Sequence, residues 1–217
     1  DSTPENLAEY RRRMKEKYGS IEHFNRTCGS SYSSFDELRP GLIARARAEG
    51  RFAEFIEWRN FNTDRWCEVF QLMSGSVKKR DPGARFSIPN TFGQGALGGN
   101  DYWRLLTKAG VDFSQEYTSM VYMGGMENPS PIYDFDEFYR SFAPGMRLWG
   151  YVGYVNTRSR LMFQPWWFAL HRYGGFTWFA AFSGMGSGGG GAWLNMLDYT
   201  GAYTEDAKNM QESLERS

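Results

Sequence analysis

The chain has little of several things that would narrow its chemistry at once. It holds two cysteines, Cys28 and Cys67, too few for a disulfide framework and without CxxC or clustered Cys/His spacing for zinc. Free thiols are expected, with a single bridge as the alternative. Its two histidines, His23 and His171, both fall in helical context without a Ser or Cys partner, which leaves a hydrolytic triad unsupported. Charge of one sign is absent: 25 Lys and Arg stand against 25 Asp and Glu, interspersed. That excludes the one-sided basic field that nucleic acids or anionic membranes select. No apolar run spans a bilayer, because Phe163 to Phe182 is broken by His171, Arg172 and the pair Gly174-Gly175. Neither a P-loop nor a dinucleotide fingerprint follows the glycine-rich run Gly184–Gly191, so that run reads as a mobile loop, and no cofactor or metal is expected.

What is abundant is aromatic surface. Phe, Trp and Tyr make up 18% of 217 residues, with eight Trp, at a mean hydropathy of −0.59. Flat apolar faces with a polar handle suit the stacking of sugar rings, and equally suit a large core. The length is most simply one folded domain. The chain opens at Asp1 without Met or a signal-like run, which suggests removed upstream sequence or a portion of a larger polypeptide. The compartment is left open between cytoplasmic and secreted, for a soluble chain.

Helical spacing of Leu7, Tyr10, Met14 and Tyr18, with Ser2 or Thr3 as cap and Gly19 as stop, predicts an amphipathic helix over Pro4–Tyr18. A short helix from Ser20 and a Gly/Ser loop over Cys28–Ser34 follow. Arg51–Arg80 reads as a long helix with Phe55, Trp58, Phe61, Trp66, Val69, Phe70 and Met73 as apolar positions, closed by Asp81-Pro82-Gly83. Beyond it, short apolar runs alternate with helices. Strands are expected at Arg85–Pro89, Val111–Tyr117, Arg147–Val155 and Phe176–Phe182, with helices at Tyr102–Ala109, Asp134–Phe142 and Pro165–Tyr173. Such alternation predicts an α/β fold with a parallel sheet and helical crossovers.

The stretch Leu7–Leu38 is similar to a segment of the family 42 β-galactosidases of glycoside hydrolase clan A, in which a helix ending LKEKYG leads into LNxAWGxxFWSFxE. The match runs through Lys15–Gly19, Asn25, Gly29 and Phe35–Glu37, with Cys28 and Tyr32 where the family usually has Trp. Downstream, Asp81–Gly93, Val111–Tyr117 and Gly174–Phe179 resemble successive strand motifs of the same family. The resemblance implies that this is the C-terminal portion, strands five to eight, of a (β/α)8 TIM barrel, with strands one to four upstream of Asp1. It also implies an organisation of 1–80 as the helical segment after strand four, 81–203 as the four barrel strands with their helices, and 204–217 as a terminal helix or a connection to another domain.

In that family the general acid/base Glu follows an Asn at the end of strand four, which would precede residue 1. The nucleophile Glu ends strand seven and would fall near Arg147–Asn156, a stretch with no carboxylate. Retaining hydrolysis of a glycoside needs two carboxyl groups about 5 Å apart. Glu116 is the remaining candidate, because the C-terminal end of a barrel strand is where active-site residues project; an ion pair at the rim is its structural alternative. Asn90 and Tyr117 are candidate partners for sugar hydroxyls. Trp178, Trp149 and Tyr154 are candidate stacking or hydrogen-bonding residues, with Trp149 and Tyr151 sharing one strand face and Tyr154 the other. Glu127 is a weaker carboxylate, and Trp166 and Trp167 are expected to pack against the sheet.

Three functions follow as alternatives. The first is a carbohydrate-active segment of a β-galactosidase-like glycoside hydrolase acting on an oligosaccharide or glycoside. The second is a catalytically inactive barrel that binds glycans, and the third a structural or assembly domain with an aromatic core. Half a barrel leaves two strand edges open, so the remaining half or another chain is the expected partner.

Overall fold

The structure is a computed structural model that describes residues 3–90, 101–116, 137–152, 158–178 and 200–216. Its chain divides into two compact units, Asp1–Met73 with Gly93–Gly110, and Ser74–Phe92 with Val111–Ser217.

The first unit is helical. Helix α1 (Pro4–Tyr18) begins where Thr3 Oγ1 accepts the Asn6 N–H at 3.3 Å and ends at Gly19, whose φ of 72° a side chain would resist. Acidic Glu5 near its start and Lys15 and Lys17 near its end complement the helix dipole. Ser20 caps α2 (Ile21–Cys28) in the same way, and Gly29 closes it in the left-handed region. A 3-10 turn (Phe35–Glu37), α3 (Ile43–Glu49) and the long α4 (Ala53–Arg80) follow, and α5 (Tyr102–Lys108) is capped by Asp101.

The core gathers on Tyr10. Its ring meets Trp58 edge-on at 4.9 Å and Phe61 at 5.2 Å, and Met14, Phe24, Cys28 and Leu38 complete the cluster. Arg11 seals the edge by donating twice to the Leu38 carbonyl, at 3.2 and 3.1 Å.

Helix α4 corrects the expectation for its apolar positions. Trp58 and Phe61 are buried, whereas Trp66, Val69 and Met73 are exposed. At 100° per residue, Glu54, Trp58 and Phe61 lie on one side of the helix, and Thr63 and Cys67 nearly opposite. Those last two face α5: Thr63 Oγ1 accepts the Asp101 N–H at 3.3 Å, and Cys67 Sγ lies 3.6 Å from the Arg104 carbonyl. One helix thus serves two surfaces, and Trp66, Val69 and Met73 fall between them. Both cysteines are free, as expected; both are also buried, and burial pushes each thiol up to about 11.

The second unit carries four strands in the order β1-β2-β3-β4, namely Ser87–Asn90, Phe113–Glu116, Arg147–Val152 and Phe176–Trp178. Every neighbouring pair is parallel. Helical residues 137–142 form α6, and α7 (Arg158–Leu170) and α8 (Glu205–Glu215) follow. Helix α7 starts two turns earlier than expected. Pro165, taken as a first helical position, lies inside it and is buried, among helix formers such as Arg160, Leu161, Met162 and Gln164. The terminal helix α8 forms as expected, with Thr204 as cap and Met210 packed on Phe168. Trp167 packs at this cluster, but Trp166 is exposed, contrary to expectation, because it follows Pro165 onto the outer side of α7.

The N-terminal ends of β1 and β2 are tied to α4. Asp112 accepts from Lys78 Nζ at 2.8 Å and from the Phe86 N–H at 2.7 Å, and the Asp112 N–H returns a bond to the Phe86 carbonyl at 2.8 Å. Among the described residues no helix is long and apolar enough to cross a membrane.

Two outcomes follow from these contacts. The Tyr10 hydroxyl is buried without a hydrogen-bond partner among the described residues, and burial pushes the phenol well above its ordinary value. Tyr10→Phe keeps the ring and removes the unsatisfied group, so urea denaturation should show unchanged stability or a gain of up to about 1 kcal/mol. Lys78 and the Phe86 N–H hold the Asp112 carboxyl below its ordinary value of 3.8. A depressed carboxyl stabilises the fold above its unfolded pKa and loses that contribution as the pH falls through its folded value. Asp112→Asn should therefore cost about 0.5–1.5 kcal/mol at pH 7, solvent-screened. The difference from the parent chain should shrink steadily as denaturation is repeated below pH 3.8.

Candidate functional site

Because the strands are parallel, their C-terminal ends meet at one edge of the sheet. The register aligns Ser87, Phe113 and Arg147; then Ile88, Ser114 and Leu148; then Pro89, Gln115 and Trp149; then Asn90, Glu116 and Gly150. Gly150, Tyr151 and Val152 pair in turn with Phe176, Thr177 and Trp178.

Alternate residues separate two faces. Ile88, Ser114 and Leu148 are all buried, with exposures of 5%, 0% and 1%, so their face is the helix-covered one. Gly150 belongs to it two residues further on, and a Cβ there would overlap the ring of Phe168 from α7. Phe168 in turn lies against Phe176 and Tyr173, at 5.6 and 4.9 Å between ring centroids.

The other face carries Trp149. Its indole Nε1 donates to Thr177 Oγ1 at 2.9 Å, its ring lies 5.4 Å from that of Phe113, and its flat face covers Gly175. A Cβ at Gly175 would stand 2.5 Å from Trp149 Cη2, so only glycine lets the indole lie down on this strand. Trp149 is half-buried, its indole held in place by Thr177, Phe113 and Gly175.

Of the residues selected from the sequence, Asn90 and Glu116 are Cα partners at the C-terminal ends of β1 and β2. Trp178 ends β4 beside Val152. These three occupy register positions of the Gly150 parity, whereas Trp149, Tyr151 and Thr177 occupy the other. Tyr117, Glu127, Tyr154 and the run Gly184–Gly191 lie outside the described residues. Thr177 and Gly175, which fix the indole, were not singled out from the sequence. A small residue three positions before Trp178 carries no local signal of a ring lying over it.

Neither histidine belongs to this edge. His23 Nδ1 lies 3.0 Å from the Tyr18 carbonyl in the helical unit. His171 follows α7 and precedes β4, at the N-terminal end of the sheet, with its ring 4.0 Å from that of Trp167. Burial and then Arg140 push its pKa below the ordinary value. Arg140 also donates to the His171 carbonyl.

Four consecutive parallel strands with intervening helices are part of a (β/α)8 barrel, its C-terminal portion, as the sequence led us to expect. No protein-family model and no curated protein sequence matches the chain. Solved structures do. The chain is similar to the catalytic domain of a β-amylase from Paenibacillus polymyxa, with a TM-score of 0.70 and 18% identity over 96% of this chain and 53% of that one. It is similar to an exo-β-agarase, with a TM-score of 0.63 and 12% identity over 97% of this chain and 29% of that one. An exo-carrageenase of GH42 from Bacteroides ovatus follows at 0.59 and 17%, over 81% of this chain and 27% of that one. The chain thus spans about half the length of the first of these structures and less than a third of the other two. At these identities the likeness establishes the fold.

Gly175→Ala tests the platform directly. The added methyl has to displace the indole, so the Trp149 Nε1–H resonance should shift and its exchange with solvent should accelerate once the Thr177 bond is lost. An unchanged resonance would mean that the indole does not rest on this glycine.

Proposed function

We propose that this chain is part of the catalytic barrel of a glycoside hydrolase, similar to the family 42 β-galactosidases, and that the C-terminal edge of its sheet takes a sugar ring. The observation that carries the reading is the Trp149 indole, held by Thr177 and laid over Gly175 on the sheet face away from α7. A pre-fixed aromatic plane loses little freedom when an apolar sugar face stacks on it. The likeness of the fold to structures named as a β-amylase, an exo-carrageenase and an exo-β-agarase supports a glycosidic substrate.

In this reading Trp149 is the stacking plane on the face away from α7, whereas Asn90, Glu116 and Trp178 have the opposite parity and meet a sugar only beyond the strand ends, Glu116 as a carboxyl and Asn90 with Tyr117 at its hydroxyls. Retaining hydrolysis requires a second carboxyl about 5 Å from the first. The rest of the barrel, from the same polypeptide or another chain, has to supply it. A second reading, a barrel that binds glycans without cleaving them, is favoured by one observation: β3 runs Arg147-Leu-Trp-Gly-Tyr-Val152 without a carboxylate.

Trp149→Ala should weaken binding to responsive glycans by about 1–3 kcal/mol, the scale of one large apolar contact. Glu116→Gln should lower kcat on aryl glycosides far more than it changes affinity if the carboxyl acts in the chemistry. Both are measured on the intact polypeptide, by calorimetry and by turnover. Glycan binding without turnover in the parent protein selects the second reading, and unchanged affinity in Trp149→Ala removes the sugar platform altogether.

A further inference from the structure

The helical unit contains a polar cleft of about 260 Å³ that neither the sheet nor its strand ends explain, lined by Ser30, Ser31, Tyr32, Arg39, Arg45, Glu49, Arg51 and Glu54. We propose that it is an oxyanion subsite, built around Arg39, that receives the carboxylate or sulfate group of an acidic saccharide. The saccharide part rests on the reading above; the anion part does not.

The cleft is preorganised. Asn25 latches the loop after α2: its Nδ2 donates to the Tyr32 carbonyl at 2.8 Å, and its Oδ1 accepts from the Tyr32 N–H at 3.1 Å and from Ser30 Oγ at 2.8 Å. Tyr32 then reaches across to α4, donating its hydroxyl to Glu54 Oε1 at 2.7 Å. Arg45 Nη2 donates to the same oxygen at 2.6 Å, so a nearly buried carboxylate is held from two sides. Gly41 allows this closeness, since a Cβ there would stand 2.5 Å from the Glu54 carbonyl oxygen.

The charges do not cancel. Arg45 is matched by Glu54 and Arg51 by Glu49, which leaves Arg39 as a third guanidinium without a carboxylate partner among the described residues. A free planar guanidinium on a fixed polar floor binds a carboxylate or sulfate through two parallel hydrogen bonds. The two carboxylates that line the same cleft decide which anion. A dianionic phosphate ester would meet Glu49 and Glu54 at close range, whereas a monoanion balances the single excess positive charge. The remaining acceptors, the Glu49 carboxylate and the Ser30 and Ser31 hydroxyls, suit the hydroxyls of an attached sugar ring. The volume falls below the ~300 Å³ lower end of sites for drug-sized ligands, the size for one charged sugar residue.

The test is titration of the intact protein, by calorimetry or ligand-observed NMR, with sodium sulfate, glucuronate, glucose 6-sulfate, glucose 6-phosphate and glucose. Glucuronate or glucose 6-sulfate should bind at least ten-fold more tightly than glucose and glucose 6-phosphate, and weaken as salt is added. Arg39→Gln should abolish that preference with an unchanged melting temperature, since Arg39 is exposed and makes no ion pair among the described residues. Arg47→Gln, exposed on α3 outside the cleft, should leave it intact. Preference for glucuronate alone assigns a uronic acid, and for glucose 6-sulfate alone a sulfated sugar. Binding of inorganic sulfate through Arg39 with neither sugar acid bound keeps the anion site and overturns its saccharide assignment. Equal binding of glucose, tighter binding of glucose 6-phosphate, or an unaltered preference in Arg39→Gln overturns the proposal. Because the readout is the difference between charged and neutral sugars, judged against Arg39→Gln alone, a failure here is distinct from a loss of glycan binding in Trp149→Ala at the sheet site.

Discussion

The contact on which the sheet unit depends is the ring of Phe168 seated in the space that a side chain at position 150 would fill. It lets α7 lie close against β3 and marks the Gly150 face of that strand as the covered one. Ile88, Ser114 and Leu148 are buried at the same parity, and Trp149 has the opposite one. A one-residue slip of β3 would turn Leu148 outward and drive the indole into α7, so the register of the sheet and the availability of an aromatic plane are one choice.

Much of this was legible in the residues. Helix α1 was readable to its ends because its signals are local: Thr3 before it, Gly19 after it, and a four-residue spacing of apolar side chains between. The strands were readable as apolar runs, and their parallel pairing followed from the helices between them. Helix α3 was missed, since Ile43–Glu49 is a short run of Ala and Arg with little apolar period. Pro165 misled because a proline inside a helix is rarer than one at its start.

The site was legible in outline only. Strand ends could be named, but pairings such as Trp149 with Thr177 or Arg45 with Glu54 join residues 28 and 9 positions apart that no periodicity relates. Alternation divided the residues of β3 between two faces without saying which face the helices take. The resemblance to a hydrolase family placed the strands in order, but β3 carries no carboxylate, and the architecture by itself does not assign the chemistry at its strand ends.

Asn25 has one more consequence. With Arg26 and Thr27 it forms an Asn-X-Thr acceptor sequence for N-linked glycosylation. The nitrogen that would carry the glycan is the one that donates to the Tyr32 carbonyl, in a part-buried position. Attachment during synthesis, before the loop closes, would replace one of the two Nδ2 hydrogens by a sugar and leave a single N–H for the latch, whereas a chain that folds first half-buries the acceptor. In a secretory compartment the order of those two events would decide how firmly the loop beside the cleft is held.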